Sequence, residues 1–273
     1  MDLDSLERTA VRAAYRSSEV LRARYGKLSA IDKKGPTDLV TDADFASETE
    51  IVATIRTAFP DHAIVAEESG IHDGSAEWRW LVDPLDGTVN YAHQVPFFAV
   101  SIACVQGDEA RLGVVLNPVS GELFTAQAGG GARLNGQPIH VGPETRVSES
   151  LLATGFPYDI RDSPVNNLDH FQNFCLRAQA VRRCGSAALD LCYLACGRFD
   201  GFWELKLKPW DVAAGALIVT EAGGRVSDLD GGDHRIDNGE TLATNGLIHE
   251  AMLEVIKLGR REPRPVGAKG EGR

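Results

Sequence analysis

Hydrophobic and polar positions recur with two different periods along the chain. Leu3, Leu6, Ala10, Ala14, Leu21 and Tyr25 fall near helical spacing and Gly26 suits a C-terminal stop, which predicts an opening helix over 3–25. A second helix is expected over 43–59, with Phe45, Val52, Ile55 and Phe59 on one stripe and Pro60-Asp61 closing it. HAIVA (62–66) and residues 77–82 read as strands. FAVSIACVQ (98–106), RLGVVLN (111–117) and ELFTAQ (122–127) resemble a meander punctuated by Gly and Pro. After SLLATG (150–155) the rhythm changes to helical patterns over 164–179, 186–196, 211–222 and 247–259, which favours helices layered on a sheet. The expected organisation is an N-terminal α+β subdomain over 1–145, a C-terminal α/β subdomain over 146–260, and a tail over 261–273 without apolar periodicity.

Composition narrows the class. The chain has 273 residues, 43% hydrophobic and 25% charged, enough to bury a large core without disulfides. No apolar run approaches the ~20 residues that span a bilayer, and the acidic start MDLDSLERTA is unlike a secretory signal, so a cytoplasmic protein is expected. The 5 cysteines include no CxxC pair, and Cys192 and Cys196, on one expected helix, read as core thiols. The 7 histidines form no HExxH or HxH motif, which disfavours zinc. A net charge of −11 argues against nucleic-acid binding as the principal role, and the lack of a long apolar run against a membrane. It leaves room for an anionic substrate if a cation stands between substrate and protein.

Acidic residues gather where strands end or helices begin. DLVTDAD (38–44) puts Thr41 where it can cap a helix, with Asp44 at the third position of that cap. AEESG (66–70) ends a hydrophobic strand in Glu67 and Glu68. WLVDPLDGTVN (80–90) runs Trp80, Leu81 and Val82 straight into Asp83 and Asp86, and KPWDVAAG (208–215) sets Asp211 at the head of an apolar helix. Capping, a solvated loop or a turn accounts for each cluster alone. Together they occupy the places where α/β proteins put ligands. If Glu67, Asp83, Asp86 and Asp211 converge, their repulsion calls for a hard divalent cation, and an all-oxygen set selects Mg2+, Mn2+ or Ca2+ over zinc. Pro84 would stiffen the turn and leave the Leu85 carbonyl as a further ligand, while Gly87-Thr88 would open a helix whose first N–H groups favour a phosphate. Metals beside an amide cradle describe metal-assisted phosphate hydrolysis.

KKGPTDLVTDAD, AEESG, WLVDPLDGTVN and WDVAAGALIVTEAGG, in that order, resemble the signatures of the inositol monophosphatase family over about residues 5–258. LLATGFPY (151–158) and RRCGSAALDLCYLACGRFDGFWEL (182–205) are most similar to its bacterial inositol-1-monophosphatase branch. The resemblance implies a layered αβαβα sandwich of the inositol monophosphatase and fructose-1,6-bisphosphatase type, usually a homodimer. It also implies about two to three Mg2+ ions per active site, with Mn2+ as a substitute and Li+ as an inhibitor. Carried over by motif, Glu67, Asp83 and the Leu85 carbonyl hold a first metal, Asp83, Asp86 and Asp211 a second, and Glu67 assists a weaker third. Asp44 and Thr88 orient and activate the attacking water, and the Gly87 and Thr88 amides hold the phosphate. Glu68 supports the ligands from behind. Asp86, Ser186, the Ala187 amide and Glu204 face the polyol hydroxyls, and Lys33 supports a mobile metal loop. Val89 stands where the family often has a second threonine, and Asp42 is an additional acid. Lys206 and Lys208 alternate with Glu204, so a strand would set all three on one face.

The expected reaction is direct attack of an activated water on myo-inositol 1-phosphate or a similar small polyol phosphate. Fructose 1,6-bisphosphate, 3′-phosphoadenosine 5′-phosphate and histidinol phosphate are alternatives on the same scaffold. GSAALD and Glu204 favour the polyol, and His93 is disfavoured as a general acid. A rival from another class is a regulatory protein that contacts a macromolecule, with Arg182-Arg183 as the contact; a subunit interface is the other reading of that pair.

Overall fold

The computed structural model describes residues 2–259 except 28–30, 34 and 36–38. The tail expected over 261–273 and the residue Lys34 lie outside the described residues. Helix α1 (Leu3–Arg24) is followed by a hairpin of β1 (Ile31–Lys33) and β2 (Leu39–Thr41), then by α2 (Asp42–Ala58). Strands β3 (His62–Ala66), β4 (Gly70–His72) and β5 (Ser75–Asp86) lead to α3 (Thr88–Ala92). The meander runs through β6 (Ala99–Gln106), β7 (Glu109–Leu116), β8 (Leu123–Gln127), β9 (Gly131–Leu134) and β10 (Gln137–Pro138). The remainder comprises β11 (Leu151–Thr154), α4 (Leu168–Cys175), β12 (Ala180–Arg182), α5 (Ala187–Ala195), β13 (Gly201–Leu205), α6 (Pro209–Glu221), β14 (Arg225–Ser227), β15 (Glu240–Thr244) and α7 (His249–Lys257).

Two sheets carry the fold. The 8-stranded sheet has the order β10-β9-β8-β7-β6-β5-β3-β4 and is antiparallel except where β3 runs parallel to β5. The 5-stranded sheet has the order β12-β11-β13-β15-β14, with β11 parallel to both neighbours. Helices α1 and α2 cover one face of the larger sheet, where Leu6, Ala10, Ile51 and Ile55 pack on Trp80, Val100 and Val114. Between the sheets lie α5 and α6, with Leu191, Ala214 and Ile218 among Phe124, Ala153 and Phe202. On the far face of the smaller sheet, Phe174 of α4 and Met252 and Ile256 of α7 pack on Leu152, Trp203 and Leu242. The result is the expected αβαβα sandwich.

A helix covered on both sides has no polar face to show, which is why Val212–Val219 of α6 is buried without a break. Close approach is bought with glycine. A Cβ on Gly113 of β7 would stand 2.7 Å from the Ala214 carbonyl oxygen and 3.0 Å from its Cα. On the other side, α1 and α2 meet through Ser17 and Ser47, whose hydroxyls are 2.6 Å apart. Ser47 spends its own proton on the Pro84 carbonyl at 2.8 Å, so Ser17 is the donor between the two.

Some expectations are corrected. Phe45 is exposed, and Ala43, Ser47, Ile51 and Ile55 form the buried stripe of α2. Helix α4 begins only at Leu168, because Asn167 before it sits at φ 71° with its side chain drawn inward. Strand β13 ends at Leu205 and Lys206 has φ 62°, so Glu204, Lys206 and Lys208 do not share a strand face. Cys192 is buried but Cys196 is only half-buried. Among the described residues, no helix is long and apolar enough to cross a membrane.

Gly113→Ala is expected to lower stability by about 1–3 kcal/mol, since the added methyl meets helix backbone that cannot step aside. Urea unfolding checks it: the midpoint should fall with the slope unchanged.

Candidate active site

Strand β5 is interrupted where it becomes chemically interesting. Its pairing with β6 runs regularly from Trp78 to Asp83, opposite Ser101, then slips before Asp86 meets Ala99. Pro84 has no N–H to give a central ladder, so the strand bulges there. The Leu85 N–H turns to Asp83 Oδ1 at 2.9 Å, and the Pro84 carbonyl is held by Ser47. Gly87 then takes φ 98° and lets α3 start. No larger residue fits, because a Cβ there would meet the Gly185 and Phe97 carbonyl oxygens at 3.0 and 3.2 Å. Asn90 of α3 secures the same junction by donating to the Phe97 carbonyl at 2.7 Å and the Cys184 carbonyl at 2.8 Å.

The bulge opens into a cavity of about 450 Å³. Glu67, Asp83, Leu85, Asp86, Gly87 and Thr88 line it from the first half of the chain, and Ser186, Ala187, Glu204 and Asp211 from the second. Asp86 joins the two halves: its Oδ2 accepts from Ser186 Oγ at 2.6 Å and from the Ala188 N–H at 2.8 Å, in the first turn of α5. Burial still pushes its carboxyl up to about 6 against those bonds. Asp83 is 2% exposed, and its carboxyl is held well above the usual range by burial and then by Glu67, Asp86 and Asp211. Asp211 is raised in the same way, although its Oδ2 accepts the Lys208 N–H at 2.7 Å and so caps α6. Burial, followed by Asp190 and Asp86, raises Glu204. Gly155 faces Glu204, and a side chain at Gly155 would run into that carboxylate.

Asp44 sits behind the lining and is joined to it by Thr88. Asp44 is 1% exposed, and its Oδ2 accepts from the Thr41 N–H at 2.8 Å and Thr41 Oγ1 at 2.6 Å, completing the capping box of α2. Its Oδ1 lies 3.1 Å from Thr88 Oγ1, which is also 3.1 Å from the Leu85 carbonyl oxygen. Burial pushes the Asp44 carboxyl up to about 6. Asp44 therefore reaches the cavity through Thr88. Glu68 does not line the cavity, and Lys33 lies exposed on β1 away from it.

Sequence reasoning missed Glu48. It is 4% exposed, and its carboxylate receives the Glu68 N–H at 2.8 Å and the Ser69 N–H at 2.9 Å, so it shapes the turn that presents Glu67. The signal was an acid on the buried stripe of α2, at helical spacing between Asp44 and Ile51. Asp190, a buried carboxylate of the cavity wall raised by burial and by Asp86, was also missed.

The family model described as the inositol monophosphatase family matches residues 2–259. The chain belongs to the inositol monophosphatase family. Among its relatives are "Nus factor SuhB" of Pseudomonas aeruginosa, 44% identical over 91% of this chain and 94% of that protein, and "Inositol-1-monophosphatase" of Mesorhizobium japonicum, 40% identical over 94% and 98%. The solved inositol monophosphatase of Anabaena (Nostoc) sp. PCC 7120 superposes with TM-score 0.87 at 42% identity, covering 94% of this chain and 97% of that one.

Enzymes of the inositol monophosphatase family are generally metal-dependent, and the donor set fits cations. Asp83 is buried among Glu67, Asp86 and Asp211, and the main group favouring its charged form is a single backbone N–H. Hard oxygen donors around Asp83, with no cation among the main influences on it, suit a divalent ion. Among the described residues, no group of three or more His, Cys, Asp or Glu side chains is arranged to hold a metal as it stands, so the carboxylates share a cavity without closing on a point.

With divalent ions chelated, Asp83→Asn is expected to match or exceed the starting protein in stability, because it removes a buried repelling charge. The same change should abolish the rise in Tm on adding Mg2+. Burial pushes the Asp44 and Asp86 carboxyls up to about 6, above the ordinary carboxylate range. They bind more protons folded than unfolded, so the chelated protein should gain stability as pH falls from about 6 towards 4 and lose it as pH rises back. Melting curves across that range, with and without Mg2+, check both statements.

Proposed function

We propose that the chain is a Mg2+-dependent phosphate monoester hydrolase acting on myo-inositol 1-phosphate or a similar small polyol monophosphate. The observation that carries this reading is the shared cavity. Repelling carboxylates Glu67, Asp83, Asp86 and Asp211 face the same space as Ser186, Ala187 and Glu204, so a cation-held phosphate and a hydroxyl-bearing leaving group fit side by side. Glu67, Asp83 and the Leu85 carbonyl would hold one ion, Asp83, Asp86 and Asp211 another, with Glu67 towards a third. When bound, such ions neutralise the phosphate oxygens and acidify the attacking water. The protein's own part is positional. Thr88 Oγ1, backed by Asp44, holds a water on the phosphate side and passes its proton inward, and the Gly87 and Thr88 amides orient the phosphate. Glu204 and Ser186 take the hydroxyls of the leaving group.

The rim favours a monophosphate over the bisphosphate alternatives. Lys206, the cation nearest in sequence to Glu204, is committed to Asp159 Oδ2 at 2.6 Å and Ser163 Oγ at 2.8 Å. A second phosphate at this ammonium would have to displace a carboxylate. Mn2+ would substitute for Mg2+ and Li+ would inhibit, and a cytoplasmic homodimer accompanies the reading.

A second reading comes from the relative named "Nus factor SuhB": a regulatory contact with another macromolecule, with phosphatase activity secondary. Arg182, exposed at the end of edge strand β12, suits such a contact better than Arg183, which lines the cavity.

Phosphate release should require Mg2+ and prefer inositol 1-phosphate over fructose 1,6-bisphosphate, 3′-phosphoadenosine 5′-phosphate and histidinol phosphate. Thr88→Ala and Asp44→Asn should each lower kcat about a hundredfold or more. Absence of turnover of all these substrates by folded, Mg2+-loaded protein would sink the first reading and favour the second.

A further inference from the structure

The segment from Gly155 to Asn167 leaves β11 and returns to almost the same point. Asn167, fully buried at φ 71°, donates from Nδ2 to the Gly155 carbonyl at 2.6 Å and to Thr154 Oγ1 at 2.9 Å, and accepts from Trp203 Nε1 at 2.7 Å. The ends are thereby tied together, as in an Ω-loop. The arc between them has a turn of its own, in which the Asp162 and Ser163 N–H groups donate to the Asp159 carbonyl at 3.0 and 2.9 Å. Phe156, Tyr158 and Asp159 on this arc line the cavity that also holds Glu204 and Ser186.

A side chain from outside the arc, Lys206, holds its tip. Lys206 Nζ donates to Asp159 Oδ2 and Ser163 Oγ, across more than 40 positions of sequence. Its backbone is unusual: φ is 62°, a conformation that favours glycine. A lysine kept at a glycine-like position spends conformational energy to put its ammonium there. The turn that bears it is fixed by the Leu207 N–H donating to the Gly239 carbonyl at 3.1 Å, and it sits between Glu204 and Lys208, the N-cap of α6.

We infer that Lys206 is a positioning residue that straps the 155–167 loop over the cavity and sets how tightly the polyol half of the substrate is held. Its ammonium does not meet the reacting phosphate; it acts through the loop. This rests on the polyol phosphatase reading for its effect on substrate, but not for its effect on the loop.

The experiment compares Lys206→Gly, Asp159→Asn and the swapped pair Lys206→Asp with Asp159→Lys in the full-length chain. Glycine relaxes the backbone at 206, so Tm should hold or rise in Lys206→Gly. Amides 158–163 should exchange with deuterium faster in both single variants, and return towards the original rate in the swapped pair. With inositol 1-phosphate, KM should rise about fivefold in each single variant while kcat stays within about twofold, as expected for loss of an exposed ion pair that acts on binding alone. Unchanged exchange in both single variants overturns the strap. Faster exchange with unchanged KM overturns its role in holding substrate. If the unaltered protein hydrolyses no polyol phosphate, the substrate reading fails by itself, and the strap stands or falls on exchange.

Discussion

The structure depends on one unfavourable interaction, the mutual repulsion of carboxylates kept out of water at the end of β5. Burying an ionised acid is costly, and burying several side by side is worse unless something of opposite sign joins them. Asp83 has Glu67, Asp86 and Asp211 as its nearest electrostatic neighbours and one backbone N–H as the main opposing influence. Arg183, Lys206 and Lys208 line the cavity too, but Lys206 already serves Asp159. A protein selected for stability alone would not assemble this set. Its persistence makes sense if the missing positive charge arrives from outside, and the hardness of the oxygens says what kind of charge that is.

The rest of the fold can be understood as the means of holding that cluster still. Ser17 and Ser47 carry hydrogen bonds from the α1–α2 seam to the Pro84 carbonyl, so the break in β5 is braced from behind. On the opposite side, Ser101 Oγ donates to the Trp210 carbonyl at 3.2 Å, linking the larger sheet to the first turn of α6. Gly113 lets that helix come close, and Asp211 arrives with its carboxylate fixed by the Lys208 N–H. Asp83, Asp86 and Asp211 are thus each anchored by a polar contact and still line the cavity. Such anchoring lowers the reorganisation needed when the site is loaded.

Much of this was legible in the sequence because the acids lie at the ends of strongly patterned elements. Trp80-Leu81-Val82 before Asp83, or the apolar run after Asp211, fix where the strand stops or the helix starts, and the carboxylate comes with the boundary. Glu48 was less legible because its partners are backbone N–H groups some twenty positions away, and nothing in α2 announces them. Lys206 was misread for a different reason. Strand alternation predicts a shared face only while the strand continues, and the chain leaves it at φ 62° on a residue type that gives no warning of such a turn. Asn167 cut α4 short in the same way, by a tertiary demand for its side chain that helical periodicity cannot register.

Asp86 deserves to be set apart from its neighbours, since two functions meet in it. Its Oδ2 completes the first turn of α5 through Ser186 and Ala188, on the wall proposed to meet the substrate hydroxyls. The same carboxylate raises the pKa of Asp83, so it also belongs to the acidic cluster. A cation drawn to Asp86 must therefore share it with the donors that hold α5 in place. On the reading proposed above, tighter cation binding would pull on the wall that receives the polyol, and a well-seated polyol would stiffen the wall that presents Asp86. Linkage would then make binding at either side alter affinity at the other by the same factor.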